Sequence, residues 1–205
     1  IRGAGADLTK YTFVDESAGV PVILFAARLL LDKGVSEFVE ASKILRCRNI
    51  DAEFWLIGDP DSGNANSVTF EQLDQWKKAG LVKYFRHSSD IATLLSQSNI
   101  VTLPSYYGEG LPKILIEAAA CGRAVVTTNH PGCRDAIEPN ETGLLVPVKD
   151  ATALADSIEY LIDNSDERKA MGKAGRALAE KEFSIEKIVD KHITIYRNLL
   201  DKVKL

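Results

Sequence analysis

Two glutamates that stand eight positions apart are the first candidates for chemistry in this sequence. Glu109 and Glu117 belong to the stretch SYYGEGLPKILIEAAACG, which covers residues 105–122. Glu117 lies within an apolar run that predicts a helix, where an unpaired carboxylate is costly to bury. With a helical rise of about 1.5 Å per residue, both carboxylates would face one cleft, on the order of 10 Å apart. Ionised carboxylates accept charge-assisted hydrogen bonds from hydroxyl groups, so the pair suits a ligand rich in hydroxyls.

The start of the same predicted helix provides a site for an anion. Pro112 suits a first helical turn, because its missing N–H needs no partner there. The backbone N–H groups near Gly110 and Leu111 would then point outwards, and the helix dipole favours negative charge at that end. Gly110 has no side chain and lets a bulky anion approach the backbone. A phosphate group with hydroxyls on both sides describes a sugar nucleotide, which has ribose on one side and a hexose on the other.

Two cations at the end of a predicted strand would neutralise such a phosphate group. Arg28 ends the apolar run at residues 20–28, and Lys33 lies in the loop that follows. A guanidinium forks onto phosphate oxygens, and an ammonium adds a compact charge. Together they would hold a diphosphate without a metal ion. Asp59 and Asp61 form a DxD string that in another setting could hold a hard cation, but chance occurrence in a turn rich in Asp, Pro and Gly is the favoured interpretation.

These residues need a scaffold, and the chain alternates short apolar runs with longer amphipathic ones. The runs that favour strands cover residues 20–28, 51–58, 81–85, 99–105, 123–129 and 142–148. Helical patterns cover residues 32–48, 68–80, 91–98 and 111–122. Strands that are apolar on both faces and separated by helices predict a parallel sheet covered on both sides. The predicted fold class is therefore α/β, a doubly wound Rossmann-like parallel sheet of about six strands, with ligands at the carboxyl ends of the strands.

From residue 150 onward the pattern is helical. Asp150 is a predicted N-cap, and Asn164 with Glu167 predicts a capping box for the next helix. Because no linker rich in Pro, Gly or Ser interrupts the sequence, residues 1–205 are interpreted as a single domain with a helical tail over residues 150–205.

Composition excludes several classes of protein. The 205 residues are 45% hydrophobic and 26% charged, which is typical of a soluble globular protein. A net charge of −4 gives no support for a nucleic-acid partner. Three cysteines without a CxxC pair favour a reducing compartment over a disulfide scaffold. No apolar run approaches the length that a transmembrane segment needs.

At these residues the chain resembles the C-terminal, donor-binding domain of GT-B fold glycosyltransferases of the retaining family 4, also called group 1. The similar segments cover nearly the whole chain; they are GADLTKYTF, AARLLLDKGVSEFVEA, EFWLIGDP, DIATLLSQSNIVTLPS, GEGLPKILIEAAACGRAVVTTNHPGCRDAI and TGLLVPVKD. The spacing of Glu109 and Glu117 matches the family's Glu-x7-Glu signature. Arg28, followed by Lys33-Gly34, matches its diphosphate motif.

The resemblance implies a role for each candidate. Glu117 would hold the ribose hydroxyls, and Glu109 would contact hydroxyls of the donor sugar. Arg28 and Lys33 would hold the diphosphate, and with Glu109 they are the implied catalytic residues. The full set implied to bind the nucleotide sugar is Arg28, Lys33, Arg86, Ile91, Glu109, Gly110, Leu111, Pro112 and Glu117, in which the loop around Arg86 and Ile91 would frame the base.

The resemblance also implies an activity. The intact enzyme would transfer a hexose or N-acetylhexosamine from a UDP-linked donor to a glycan or lipid-linked acceptor, with retention, in cell-surface polysaccharide synthesis. No cofactor and no metal ion are implied, and the location would be cytoplasmic, or peripheral at the inner face of the membrane. The acceptor would bind an N-terminal domain that this chain lacks. Since the chain opens on Ile1 rather than Met, we expect an inactive fragment.

Two alternatives stay open at this point. A non-catalytic module for nucleotide-sugar binding or protein interaction could keep the same fold and the same four charged residues. The other alternative is a related GT-B enzyme such as a phosphorylase or an epimerase. The phosphorylase is less compatible with the sequence, because the lysine context that carries its cofactor is not found.

Overall fold

A computed structural model describes residues 3–108 and 110–203. Its centre is a six-stranded parallel sheet in the order β3-β2-β1-β4-β5-β6. The strands are β1 (Val22–Ala26), β2 (Glu53–Ile57), β3 (Lys83–Phe85), β4 (Ile100–Leu103), β5 (Ala124–Thr128) and β6 (Gly143–Val146). Each lies within one of the six predicted runs, so the predicted α/β, doubly wound fold class is confirmed.

Helices cover the sheet on both faces. They are α1 (Val35–Cys47), α2 (Phe70–Lys78), α3 (Ile91–Gln97), α4 (Lys113–Ala120), α5 (Ala151–Asp163), α6 (Ser165–Leu178) and α7 (Ile185–Val203). Helix α1 packs against α5, whereas α4 packs against α3 and α6. Among the described residues, no helix combines the length and the apolar character that crossing a membrane requires.

The strand order places a topological switch point beside β1. From β1 the chain proceeds outward through β2 to β3, and then returns to β4 on the other side of β1. In the central strand β1, Ile23, Leu24 and Phe25 are 0% exposed. Helices cover both faces of the sheet there, so apolar side chains are favoured on both faces of this strand. Connections leave β1 and β4 in opposite directions, so a crevice forms outside their carboxyl ends, which is where ligands bind in sheets of this type.

One predicted helix cap is confirmed and one is wrong. The side chain of Asp150 accepts a hydrogen bond of 2.9 Å from the N–H of Ala153, as predicted for an N-cap. Asn164 and Glu167 form no capping box. The amide of Asn164 donates instead to the carbonyl of Tyr160, 2.9 Å away, and Glu167 accepts from the Tyr160 hydroxyl. Since Asn164 alone separates α5 from α6, both side chains join the two helices rather than cap the second.

A buried ion pair fastens the segment before β1 to α6. Arg168 and Glu16 have side-chain exposures of 6% and 5%, and an oxygen of the carboxylate lies 2.8 Å from the guanidinium. Asn99 donates a further hydrogen bond of 3.0 Å to the same carboxylate. The guanidinium also donates to the carbonyl of Leu161 at the end of α5. No local sequence pattern predicts this contact, because its partners lie 152 positions apart.

Candidate functional site

A cleft of about 750 Å³ opens at the carboxyl ends of β1 and β2. Its walls come from the loops after β1, β2 and β3 and from the starts of α3 and α4. Three of the predicted site residues line it, namely Arg28, Ile91 and Glu117. The structure therefore brings together residues that are separated by up to 89 positions in the sequence, at the place that the sheet topology favours.

Two glycines let the loops around this cleft approach each other. Gly58 has φ 135°, and a Cβ there would lie 1.9 Å from the carbonyl oxygen of Ala27. Gly34 has φ 80°, and a Cβ there would lie 2.2 Å from the carbonyl oxygen of Pro104. Only glycine tolerates both the positive φ and the contact with backbone. The loop after β1 is thus packed directly against the ends of β2 and β4, which is the physical reason for glycine after Lys33.

Arg28 lies in the wall of the cleft and is paired there. Its guanidinium is 3.4 Å from the carboxylate of Asp61, with side-chain exposures of 61% and 37%. Asp61 accepts a second hydrogen bond from the N–H of Gly63, 3.3 Å away, within its own turn. The predicted diphosphate cation is therefore accessible, and it neighbours a carboxylate that a diphosphate would have to displace.

Lys33 is buried at the end of a short 3-10 turn, Leu31–Lys33. Its ammonium lies over the ring of Tyr107, 4.6 Å from the ring centroid. The loop after β4 that carries this tyrosine is fastened to the same turn, since the Ser105 hydroxyl and the Tyr106 N–H both donate to the carbonyl of Asp32, at 3.1 and 3.0 Å. The lysine was predicted as a site residue, but its aromatic neighbour was not.

Glu117 lies on the buried side of α4, with 5% of its surface exposed. The phenol of Tyr11 lies beside its carboxylate in the wall of the cleft, and the ammonium of Lys113 lies 3.6 Å away. Burial raises the pKa of Glu117, although the Tyr11 hydroxyl and the Lys113 charge oppose this rise. Burial, together with the neighbouring carboxylate, also raises the pKa of Tyr11.

Both partners of Glu117 line the same cleft, and sequence reasoning missed them. Lys113 carried a usable signal, since it stands one helical turn before Glu117, at the spacing that brings two side chains together. Tyr11 stands 106 positions away in the chain. Its only signal was its place in the segment GADLTKYTF, which resembles the family without specifying a contact.

Asp59 organises the side of the cleft where the base was expected. Its carboxylate accepts from the hydroxyl of Tyr84 at 3.0 Å, and from Arg86 and the N–H of His87 at 3.4 Å. Desolvation would raise the pKa of Asp59, but these donors outweigh it and lower the pKa. Burial and the hydrogen bond to this carboxylate raise the pKa of Tyr84 to about 12. Asp59 thus fixes the loop that follows β3.

Arg86 and Ile91 occupy different places along this side. Ile91 begins α3 and lines the cleft. The Arg86 side chain is 85% exposed and contributes to a shallower depression of about 450 Å³, lined also by Thr93 and Leu94. Arg86 does not line the cleft that contains Arg28 and Ile91, but His87, Ser88 and Ser89, which follow Arg86, line both the cleft and this depression. A contact of this loop with the base stays a prediction.

The residues before α4 are placed in part. Gly110 is exposed, and a Cβ there would meet nothing within 4 Å. Leu111 is half-buried and packs against the core. Pro112 has φ −63° and ψ 125° and is the N-cap, so α4 begins at Lys113, two residues after the start of the predicted helical pattern. Glu109 lies outside the described residues, and its distance from Glu117 and its contact with a donor sugar stay predictions.

Among the side chains that the structure describes, no three His, Cys, Asp or Glu residues converge in a group that could hold a metal ion. Asp59 and Asp61 are instead engaged with Tyr84, Arg86 and Arg28. Metal independence stays a prediction.

Comparison with known proteins gives this site a context. A family model described as "Glycosyl transferases group 1" matches residues 12–178. The chain is 33% identical, over 89% of its length, to the N,N'-diacetylbacillosaminyl-diphospho-undecaprenol alpha-1,3-N-acetylgalactosaminyltransferase of Campylobacter jejuni. It is 30% identical, over 87% of its length, to the capsular polysaccharide biosynthesis glycosyltransferase CapM of Staphylococcus aureus. The chain spans about half the length of these relatives, 46% in each case.

Solved structures show the same architecture. The sucrose-phosphate synthase of Thermosynechococcus elongatus superposes with a TM-score of 0.85 and 26% identity, over 97% of this chain and 52% of that one. The fold of this chain is therefore shared with about half of a longer enzyme.

Proposed function

Since the chain belongs to the glycosyl transferases group 1 family, we propose that it binds a nucleotide-diphosphate sugar in the cleft at the carboxyl edge of its sheet, as the donor half of a retaining hexosyltransferase. One observation carries this proposal: Arg28, Ile91 and Glu117 line one cleft of about 750 Å³ at the switch point of the sheet. Ligand pockets are typically about 300–1,000 Å³ and combine apolar walls with a few placed polar groups.

The charged side chains of the cleft determine where each part of the donor would bind. The ribose hydroxyls bind the carboxylate of Glu117, which lies deep in the cleft. The diphosphate binds the guanidinium of Arg28, the ammonium of Lys33 and the backbone that leads into α4. The base lies towards Ile91 and the loop that Asp59 fixes, and the hexose lies towards Glu109.

The proposed chemistry is electrostatic. As the bond between sugar and phosphate breaks, negative charge builds on the diphosphate, and cations that are already in place stabilise it without reorganisation. Arg28 lines the cleft, and the ammonium of Lys33 lies over the ring of Tyr107. Removing one such group from a transfer reaction typically raises the barrier by about 2.7–4 kcal/mol. No metal ion is needed in this account, and the acceptor attacks on the face from which the leaving group departs.

The relatives' names support a proposal for the donor sugar and the acceptor. One name specifies transfer of N-acetylgalactosamine to a diphospho-undecaprenol compound, and another specifies capsular polysaccharide biosynthesis. We propose a hexose or N-acetylhexosamine as the donor sugar and a glycan or a lipid-linked sugar as the acceptor. UDP as the nucleotide, and a location in the cytoplasm or at the inner face of the membrane, are what the family resemblance implies. The acceptor would bind to a part of the enzyme outside the aligned half, so the 205-residue chain alone should not catalyse transfer.

Calorimetric titration of the 205-residue chain with UDP, GDP and ADP tests the proposal. We expect UDP to bind most tightly, and Arg28→Gln to weaken it about tenfold through loss of a charge-assisted hydrogen bond. Arg48→Gln is the matched control, because Arg48 pairs with Asp156 and Glu159 far from the cleft. Failure of all three nucleotides to bind would refute a nucleotide-sugar site, and an equal loss in both variants would refute the role of Arg28.

A further inference from the structure

Tyr11 is the one tyrosine of the cleft wall that touches Glu117, and it does so from outside the sheet. It lies in the segment that precedes β1, is 5% exposed, and contributes its phenol to the same cleft as Arg28 and Glu117. Its phenol faces the Glu117 carboxylate, which is also only 5% exposed, in the wall of that cleft. This contact joins two parts of the chain that no strand pairing connects.

The backbone of Tyr11 is fixed independently of that hydroxyl. Arg176 on α6 donates from one guanidinium nitrogen to the carbonyl of Tyr11 at 2.8 Å and to the carbonyl of Ala120 at 2.7 Å. Ala120 is the last residue of α4, the helix that carries Glu117. The N–H of Tyr11 donates to the carbonyl of Asp7 at 2.8 Å. One arginine thus binds the tyrosine and the glutamate's helix together.

The two protein donors to Glu117 are unequal. Lys113 carries its ammonium on a side chain that is 67% exposed and free to leave for solvent, at 3.6 Å. Tyr11 is 5% exposed, and its backbone is hydrogen-bonded at both the N–H and the carbonyl, so its side chain is less free to leave for solvent than that of Lys113. A carboxylate offers about four acceptor sites, and one phenol leaves room for both hydroxyls of a ribose. A glutamate side chain that is already held in one rotamer also loses less entropy when a ligand binds.

We propose that Tyr11 is a positioning residue, held by Arg176, that orients the Glu117 carboxylate towards the ribose of the donor nucleotide. The inference rests on the proposed function, since it requires that a nucleotide occupies the cleft. It goes beyond that function because the tyrosine contacts the carboxylate rather than the nucleotide, and because it makes the segment before β1 part of the binding site.

Tyr11→Phe removes the hydroxyl and keeps the ring that packs against the core. We expect UDP to bind about tenfold more weakly, which equals about 1.4 kcal/mol. UDP lacking both ribose hydroxyls should bind with nearly the same affinity to both proteins, so that the preference for the intact ribose shrinks. A residue with a merely structural role would weaken both ligands alike.

The pH dependence gives a second readout. Since the Tyr11 hydroxyl lowers the pKa of Glu117, its removal should move the pH at which UDP affinity is lost upward. The other charged or titratable groups near this carboxylate are Lys10 of the same segment, Lys113 of α4, Cys121 directly after α4, and Arg28, Asp59, Asp61 and His87 of the cleft walls. All of these are present in both proteins, as is the titrating diphosphate, so the difference between the two profiles reports the hydroxyl.

Tyr160→Phe is the matched control, because it removes a hydrogen bond of the same kind, from Tyr160 to Glu167, outside the cleft. Arg176→Gln is a second variant, which keeps the phenol of Tyr11 but removes the hydrogen bond to its backbone carbonyl. It should show a smaller change both in the preference for the intact ribose and in the pH dependence of UDP affinity. Unchanged ribose preference and unchanged pH profile in folded Tyr11→Phe and Arg176→Gln would overturn the inference while leaving UDP binding intact. Absence of UDP binding to the unmodified chain would instead overturn the proposed function.

Discussion

The guanidinium of Arg28 and the carboxylate of Asp61 lie 3.4 Å apart in the wall of the cleft. The proposed diphosphate cation therefore lies beside an anion of the protein itself. A bound diphosphate would have to displace this carboxylate from Arg28 and would also be repelled by its charge. The pair is largely solvated, so its net contribution is small.

We predict that Asp61→Asn tightens UDP binding about two- to fivefold, because exposed ion pairs contribute little and their loss removes a competitor of the ligand. Calorimetry at low ionic strength measures the change, which should shrink as salt screens the remaining charges. Asp156→Asn is a suitable control, since it removes one partner of Arg48 on the opposite side of α1 from the cleft loops. Weaker UDP binding by Asp61→Asn would indicate that Asp61 supports the site rather than competes for it.

Glu117→Gln should raise the stability of the fold and weaken the binding of UDP. Burial raises the native pKa of Glu117 above its ordinary value of 4.5. Between the pKa of Glu117 in the unfolded chain and its higher pKa in the folded chain, only the folded chain holds the proton. The free energy of unfolding therefore falls as pH rises through this window. Above the window the full cost of burying the ionised carboxylate is present. Glutamine removes the buried charge and keeps an acceptor for Tyr11. We predict that Glu117→Gln has a higher Tm than the unmodified chain at neutral pH. The difference between the two Tm values should narrow as pH falls through the window.

The same substitution should weaken UDP binding about tenfold, because an amide oxygen is a poorer acceptor for ribose hydroxyls than a carboxylate. Thermal unfolding followed by circular dichroism gives the first quantity, and calorimetry gives the second. Lys113→Gln serves as the comparison for charge on the same helix. A glutamine variant that is less stable at neutral pH but binds UDP normally would contradict both halves of the prediction.

Removal of divalent ions should leave UDP affinity unchanged. The proposed diphosphate ligands are Arg28, Lys33 and backbone, and the carboxylates of the DxD string are occupied by protein donors. Titration of UDP in excess chelator and again in millimolar Mg²⁺ checks this expectation. A large loss of UDP affinity in chelator would indicate that Asp59 and Asp61 bind a cation. Asp59→Asn should then abolish the dependence of UDP affinity on Mg²⁺.

The sequence predicted the sheet well because its signals are local. Apolar runs flanked by helical patterns are typical of buried parallel strands, and all six strands lie within such runs. Arg28 and Glu117 could be predicted as site residues because each follows from a strand-end position or a motif spacing, and the topology then determines that strand ends meet at one edge.

What escaped prediction depends on contacts between distant segments. The hydroxyl of Tyr11 and the carboxylate of Glu117 meet only because α6 holds the first segment against α4. Asn164 and Glu167 match a capping-box pattern, but the neighbouring Tyr160 offers both side chains better-placed partners. Arg86 pairs with Asp59 beside the cleft, a contact that its place after β3 does not specify. In each case tertiary packing decides between partners that local patterns cannot distinguish.

The buried pair of Arg168 and Glu16 provides the last prediction, which concerns the fold. Arg168→Met should lower the free energy of unfolding by about 3–5 kcal/mol, because it leaves the Glu16 carboxylate buried without its counter-charge. The double variant Glu16→Gln with Arg168→Met should recover much of that loss, since glutamine still accepts from Asn99 and carries no charge. Urea unfolding followed by tryptophan fluorescence measures both, with Arg48→Met as the control at an exposed pair. If the double variant were as unstable as Arg168→Met alone, the cost would arise from lost packing and lost hydrogen bonds to Leu161 rather than from an uncompensated charge.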